Sequence, residues 1–278
     1  MKQGQIITLQ KNQYIVKSDD VKISCVIRGK IHKQQLLPRV GDFVLFDENK
    51  QVIEKVLPRK NSFLRPLVSN IDQAIIVTSV KEPDFSLSLL DRLLTLMELH
   101  KVEGVICLTK LDLITKEEKE SIFKTMDYYK GLGYKVVTNN ELDKIEEILE
   151  NKTSVFIGQT GAGKSTLLNH LDAKLQLKTS EISYALGRGK HTTRHVELIP
   201  LFGGLVADTP GFSALDFEMD KASIRDQFKE FETYKEYCKY KDCMHDKEDH
   251  CMVKEKVEDG TILKSRYENY IQFIRGDV

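Results

Sequence analysis

The chain has 278 residues, 41% of them hydrophobic, enough for one large domain or two to three small ones with real cores. Its 42 Lys and Arg balance its 42 Asp and Glu, so bulk charge argues for no nucleic-acid partner and any RNA face must be local. No apolar run reaches the ~18 residues of a membrane helix and no signal-peptide core opens the chain, so the expectation is a cytoplasmic protein whose five cysteines serve metal or core rather than disulfides.

Residues 1–66 read as five short β-rich runs, at 5–9, 13–16, 23–27, 43–46 and 52–56, separated by turn residues. Five strands without a helical period predict a small β-barrel of the OB-fold kind, with Cys25 as core filler. Over residues 67–217 strands and helices alternate. An apolar run at 71–80 suits a strand covered on both faces, and Leu87, Leu90, Leu93, Leu94 and Met97 set a helix over 86–100. Strand 104–109 (with Cys107 in its apolar run), helix 116–130, strand 134–138, helix 141–150 and strand 153–157 follow; a glycine-rich turn, another helix and a strand at 204–208 complete the series. Such alternation predicts a parallel sheet with helices on both faces, whose ligands bind at the carboxyl ends of the strands. Residues 218–278 read as a charged helical domain ending in an amphipathic stretch at 262–274.

The turn after strand 153–157 is Gly158-Gln159-Thr160-Gly161-Ala162-Gly163-Lys164-Ser165-Thr166, which fits the P-loop pattern in full and has the strand before and helix after that the pattern requires. Glycines there let backbone N–H groups turn inward around phosphates, Lys164 reaches the β- and γ-phosphates, and the Ser165 hydroxyl ligates Mg²⁺. Asp208-Thr209-Pro210-Gly211 follows a strand and suits a second switch: Asp208 holds the Mg²⁺ shell and the Gly211 N–H meets the γ-phosphate. Between them the polar segment 187–194 reads as a first switch that offers a threonine hydroxyl to Mg²⁺. The sequence does not separate Thr192 from Thr193, of which Thr193 is preferred, and an ordinary basic surface loop is the alternative.

Guanine recognition needs a carboxylate for the ring N–H and the exocyclic amine, usually from Asn-Lys-x-Asp at a strand end. Here strand 104–109 ends in Thr109-Lys110-Leu111-Asp112, so Lys110 packs over the base, Asp112 reads its edge, and Thr109 stands where Asn is usual. The order along the chain is base motif, P-loop, first switch, second switch, a circular permutation that nearby termini make tolerable.

Cys238, Cys243, His245 and Cys251 supply three thiolates and an imidazole, a set suited to a closed, structural tetrahedral Zn²⁺ site, with His250 as the alternative imidazole. Three local clusters are candidates for RNA contact: Arg59, Lys60 and Arg65; Arg188, Lys190 and Arg194; and Lys235, Lys239, Tyr240 and Lys241.

With these motifs in this order, the sequence resembles the ribosome small subunit-dependent GTPase A family over its whole length. The resemblance implies an N-terminal OB-fold, a permuted GTPase and a C-terminal zinc domain, with GTP or GDP, Mg²⁺ and one structural Zn²⁺ bound. It also implies GTP hydrolysis stimulated by the small ribosomal subunit and its 16S rRNA during late maturation of that subunit. A monomer without membrane contact is the expectation. Ras-like enzymes place a Gln after Asp-x-x-Gly to orient the attacking water; here Phe212 stands there, so His191 or a ribosomal group is expected to position it. A P-loop ATPase or nucleotide kinase, and an RNA-binding scaffold with nucleotide as structural ligand, are the competing readings.

Overall fold

The computed structural model describes residues 1–10, 13–19, 21–27, 37–64, 67–175, 196–208 and 219–276, with only the backbone of Lys174 and Asp208. Two compact units interleave along the chain. One takes residues 1–75, 140–157 and 163–215, the other 76–139, 158–162 and 216–278.

In the first unit β1 (Lys2–Gln10), β2 (Gln13–Ser18), β3 (Val21–Ile27), β4 (Phe43–Asp47) and β5 (Val52–Val56) close into a barrel of the OB-fold kind. Closure comes from β1, which pairs antiparallel with β2 on one edge and, from Lys2 to Gln5, with β4 on the other. β2 is antiparallel to β3, β3 runs parallel to β5, and β5 antiparallel to β4. Ile6, Val16, Val44, Phe46 and Ile53 fill the core, and Cys25 is buried as the sequence suggested.

A short hairpin, β6 (Ser62–Leu64) and β7 (Leu67–Ser69), follows the barrel. It is secured by Asp42, whose carboxylate accepts from Arg59 Nε at 2.6 Å and Nη2 at 2.7 Å, from the Ser69 hydroxyl at 2.6 Å and from the Arg39 amide at 2.9 Å. For Arg59, a candidate for RNA contact, the fold supplies an ion pair: a fully buried carboxylate holds its guanidinium in two charge-assisted bonds.

The same unit carries α3 (Leu142–Leu149), β11 (Thr153–Ile157), α4 (Lys164–Leu171), β12 (Glu197–Leu201) and β13 (Gly204–Asp208). β11 and β13 run parallel, as expected, but β12 is antiparallel to both β13 and β1. The expected parallel sheet is thus interrupted by a hairpin. Its two turn residues, Phe202 and Gly203, take φ of 48° and 71°, the handedness that matches strand twist in two-residue hairpins.

The second unit begins within β8 (Gln73–Ser79) and adds α1 (Leu87–Leu99), β9 (Glu103–Thr109), α2 (Lys116–Gly131) and β10 (Lys135–Thr138), with strand order β10-β9-β8. Both helices start on side-chain caps. The Ser86 hydroxyl accepts from the Leu89 amide, and Thr115 and Glu118 form a reciprocal capping box. The C-terminal part supplies α5 (Lys221–Asp226), α6 (Lys229–Tyr234), α7 (Met252–Glu258) and α8 (Lys264–Arg275), around a core that includes Ile224, Phe228, Phe231, Val253, Tyr270 and Phe273.

Candidate functional site

β11 gives way at Ile157 to the glycine-rich loop, and α4 starts at Lys164. Gly158, Gly161 and Gly163 all adopt positive φ, at 132°, 82° and 95°. At Gly158 the requirement is absolute, because a Cβ would lie 2.1 Å from the Val77 carbonyl oxygen. Gly163 is the N-cap of α4, so the loop leads into the first turn of a helix, the end at which an anion is favoured. Ala162 and Ser165 are buried, whereas Gly161 and Thr166 are exposed. Burial pulls the Lys164 ammonium down to about 8, since the charged form loses hydration there.

The candidate base motif sits at the end of β9. Thr109 is buried, and its hydroxyl donates to the Ala162 carbonyl at 2.7 Å. The amide expected of Asn is thus replaced by a hydroxyl that binds the glycine-rich loop directly. Lys110 takes a left-handed conformation, φ 59°, which turns the chain into a single helical turn, Leu111–Leu113. Its ammonium bonds the Glu82 carbonyl. Leu111 is buried and fixes this turn, leaving Asp112 exposed beside it. The Asn139 amide donates to the Leu108 carbonyl at 2.9 Å, so the chain after β10 leaves the sheet beside Thr109. No motif marks Asn139 in the sequence; parallel register alone puts it there.

Asp208 ends β13, where Val155 of β11 pairs with Ala207. It therefore leaves the sheet at the same end as Ile157, where the glycine-rich loop begins. His191, Thr192, Thr193, Gly211 and Phe212 lie outside the described residues, as do Arg65, Arg188, Lys190 and Arg194.

The four candidate metal ligands meet. One donor atom from each of Cys238, Cys243, His245 and Cys251 lies within 4.8 Å of all the others. His245 Nδ1 is 3.3 Å from Cys251 Sγ and 3.7 Å from Cys238 Sγ, and the Cys238 and Cys251 sulfurs are 3.9 Å apart. A tetrahedron with Zn–S bonds of ~2.3 Å has S···S edges of about 3.8 Å, which the Cys238–Cys251 edge matches, and the four donors are of the kind zinc takes. Burial pushes the Cys251 thiol up to about 12 and draws His245 down to about 4. The imidazole is thereby kept neutral, as ligation needs, and a cation beside the Cys251 sulfur would favour its thiolate. His250 is exposed and outside the cluster, so His245 is the imidazole that meets the three sulfurs. Glu248 holds the ligand loop by accepting from the Met244 and Asp246 amides at 2.8 and 2.9 Å.

Comparison with known proteins gives the family. A family model described as RsgA GTPase matches residues 56–218, and one described as RsgA N-terminal domain matches 3–52. The small ribosomal subunit biogenesis GTPase RsgA of Enterococcus faecalis is 46% identical over 278 residues, covering 98% of this chain and 94% of the relative. The relative RsgA 1 of Listeria monocytogenes is 47% identical over 282 residues, covering 99% and 97%. Among solved structures, YloQ, a circularly permuted GTPase, is similar with TM-score 0.86 and 35% identity, covering 99% of this chain and 94% of that one. YjeQ from Thermotoga maritima is similar with TM-score 0.86 and 34% identity, covering 99% and 98%. Among the described residues no helix is long and apolar enough to cross a membrane.

Proposed function

The chain belongs to the RsgA GTPase family, and from that premise we propose that it hydrolyses GTP to GDP and phosphate as a factor in late maturation of the small ribosomal subunit. The observation that carries the reading is the bond from Thr109 to Ala162, which ties a Lys-x-Asp base motif to a glycine-rich phosphate loop that follows it in the chain.

In this reading the loop amides from Gly158 to Gly163 surround the phosphates, with Ser165 and Thr166 at the start of α4 beside them. Lys164 neutralises the β- and γ-phosphates, and Ser165, Thr193 and Asp208 hold Mg²⁺. Held there, Mg²⁺ would supply positive charge to offset the negative charge that develops during transfer. Lys110 lies against the guanine and Asp112 accepts from its ring N–H and amine. Gly211 meets the γ-phosphate. With Phe212 in the usual place of Gln, His191 or a ribosomal group orients the water. Cys238, Cys243, His245 and Cys251 hold one structural Zn²⁺; four protein ligands leave no open position for catalysis.

The partner in this reading is the small subunit through its 16S rRNA, met by a cytoplasmic monomer. Support for an RNA face comes from Tyr237 and Tyr240, 70% and 43% exposed, beside Lys235, Lys239 and Lys241 near the first metal ligands. Exposed aromatic rings among lysines suit unpaired bases. Turnover of GTP and ATP by the pure protein, alone and with isolated small subunits, tests the proposal. Slow GTP-selective hydrolysis that rises strongly with subunits is expected. Equal use of ATP would point to a P-loop ATPase, and no turnover in either condition to a scaffold.

A further inference from the structure

Arg266 of α8 is buried at the meeting of three helices. Its Nη1 donates to Asp91 of α1 at 2.6 Å, and its Nε and Nη2 donate to Glu230 of α6 at 2.5 and 3.2 Å. The guanidinium lies over the rings of Phe228 and Tyr129. Asp91 also accepts from the Tyr129 hydroxyl at 2.7 Å and the Asn269 amide at 2.6 Å. All three charged side chains are at most 3% exposed. Relative to apolar packing a buried ionic cluster adds little stability, yet its bonds are directional and fix one arrangement of the helices.

Both sides of this cluster lead to a candidate site. On α8 the Tyr267 hydroxyl donates to the His245 carbonyl at 2.6 Å and the Tyr270 hydroxyl to the Met244 carbonyl, so the helix holds the backbone of the metal loop. Phe231 of α6 packs edge-on with both the His245 imidazole, at 5.3 Å, and Tyr270, at 4.9 Å. On α1, Leu89, Leu90 and Leu93 flank Asp91 and line a small cleft with Val77, Gly158 and Gln159. Arg266 thus fixes the helix that walls the first residues of the phosphate loop to the helix that holds the metal loop.

We propose that Arg266 is a positioning residue that couples Zn²⁺ binding at the Cys3His cluster to guanine-nucleotide binding at the glycine-rich loop. Each ligand stabilises the same docking of α8 on α1, so each tightens the other by an equal factor. The inference rests on the two site assignments made above.

The test is the Zn²⁺ dissociation constant of the full chain, by competition with a chromogenic chelator, with and without saturating GDP. Wild type is compared with Arg266→Met, which keeps length and loses charge. In wild type GDP should tighten Zn²⁺ binding about fivefold or more; in Arg266→Met each ligand should bind but the coupling should vanish. Equal Zn²⁺ affinity with and without GDP in wild type overturns the proposal, and so does equal coupling in both proteins. Should Arg266→Met not fold, hydrogen exchange on the wild type decides. Chelation of Zn²⁺ should speed exchange of the α1 amides at 90–97 more than those of α3, and unchanged α1 protection overturns the inference. A wild-type chain that binds no GDP or no Zn²⁺ at all would instead sink the site assignment, and this inference with it.

Discussion

The Thr109 hydroxyl donates to the Ala162 carbonyl across 53 positions of sequence, at 2.7 Å and away from solvent. One short side chain thereby sets the height of the candidate base motif against the candidate phosphate loop. Thr109→Val keeps the shape and strands the Ala162 carbonyl, at a cost of ~1–3 kcal/mol. GDP affinity should fall about tenfold by calorimetry, and Thr109→Ser should recover most of it. Unchanged affinity in the valine variant would mean that the bond does not position the site.

Asp112 sits exposed on the turn that Lys110 and Leu111 build. If it reads guanine, Asp112→Asn exchanges an acceptor for a donor at the base edge. A charge-assisted bond is worth ~1.5–3 kcal/mol, so GTP binding should weaken about tenfold or more while xanthosine triphosphate gains. Retained preference for GTP would move base recognition to other residues.

Burial draws the Lys164 ammonium down to about 8, and phosphates beside it should raise that value in the complex. The free protein then gives up this proton at a lower pH than the complex does. Nucleotide affinity should be full below pH 8 and fall above it, approaching tenfold per unit. Lys164→Arg stays charged throughout and should flatten the curve. Calorimetry between pH 7 and 9 reads both profiles; a flat wild-type curve contradicts the assignment of Lys164 to the phosphates.

His245 and His250 carry opposite expectations. His245 is buried among the three sulfurs, while His250 faces solvent. Metal analysis of the purified chain should find one zinc. His250→Ala should retain it, and His245→Ala should lose it along with much of the melting temperature, since structural zinc contributes folding energy directly. Loss of zinc in His250→Ala alone would reverse the choice.

Arg59 and the lysines near the metal cluster separate stability from RNA contact. Arg59→Met leaves Asp42 buried without its ion-pair partner, a change that typically costs ~3–5 kcal/mol, so thermal melting should drop sharply. Lys239→Ala with Lys241→Ala should leave melting unchanged but lower the salt dependence of subunit binding by roughly 0.7–0.9 per lost phosphate contact. An unaltered salt slope would take that face off the RNA.

The barrel strands, the glycine-rich loop and Thr109–Asp112 were legible because each is a local pattern, an alternation with turn residues or a loop with fixed spacing. β12 was not. Pro200 lies inside it and reads as a strand breaker, and its Phe202–Gly203 turn lacks the Asn-Gly pair that usually announces a hairpin. Partners distant in sequence were equally hidden. Charge marked Arg59 as a surface candidate, and only the fold supplies Asp42. Periodicity showed the helix at 262–274 to be amphipathic, but it reports which side is buried, not that Arg266 meets Asp91 there. Spacing likewise preferred His245 but kept His250 as an alternative, and only the fold puts the His245 ring among the three sulfurs.

The edges of β1 are filled at different times during synthesis. Gln5 to Gln10 find β2 almost as soon as they leave the ribosome, and Lys2 to Gln5 need only β4. Thr8 must wait for Glu197, about 190 residues later. At 5–20 residues per second the wait is roughly 10–40 s. For that interval a half-built protein shows an open strand edge among buried apolar neighbours, Ile6 and Ile7, which is where a nascent-chain chaperone would find its grip.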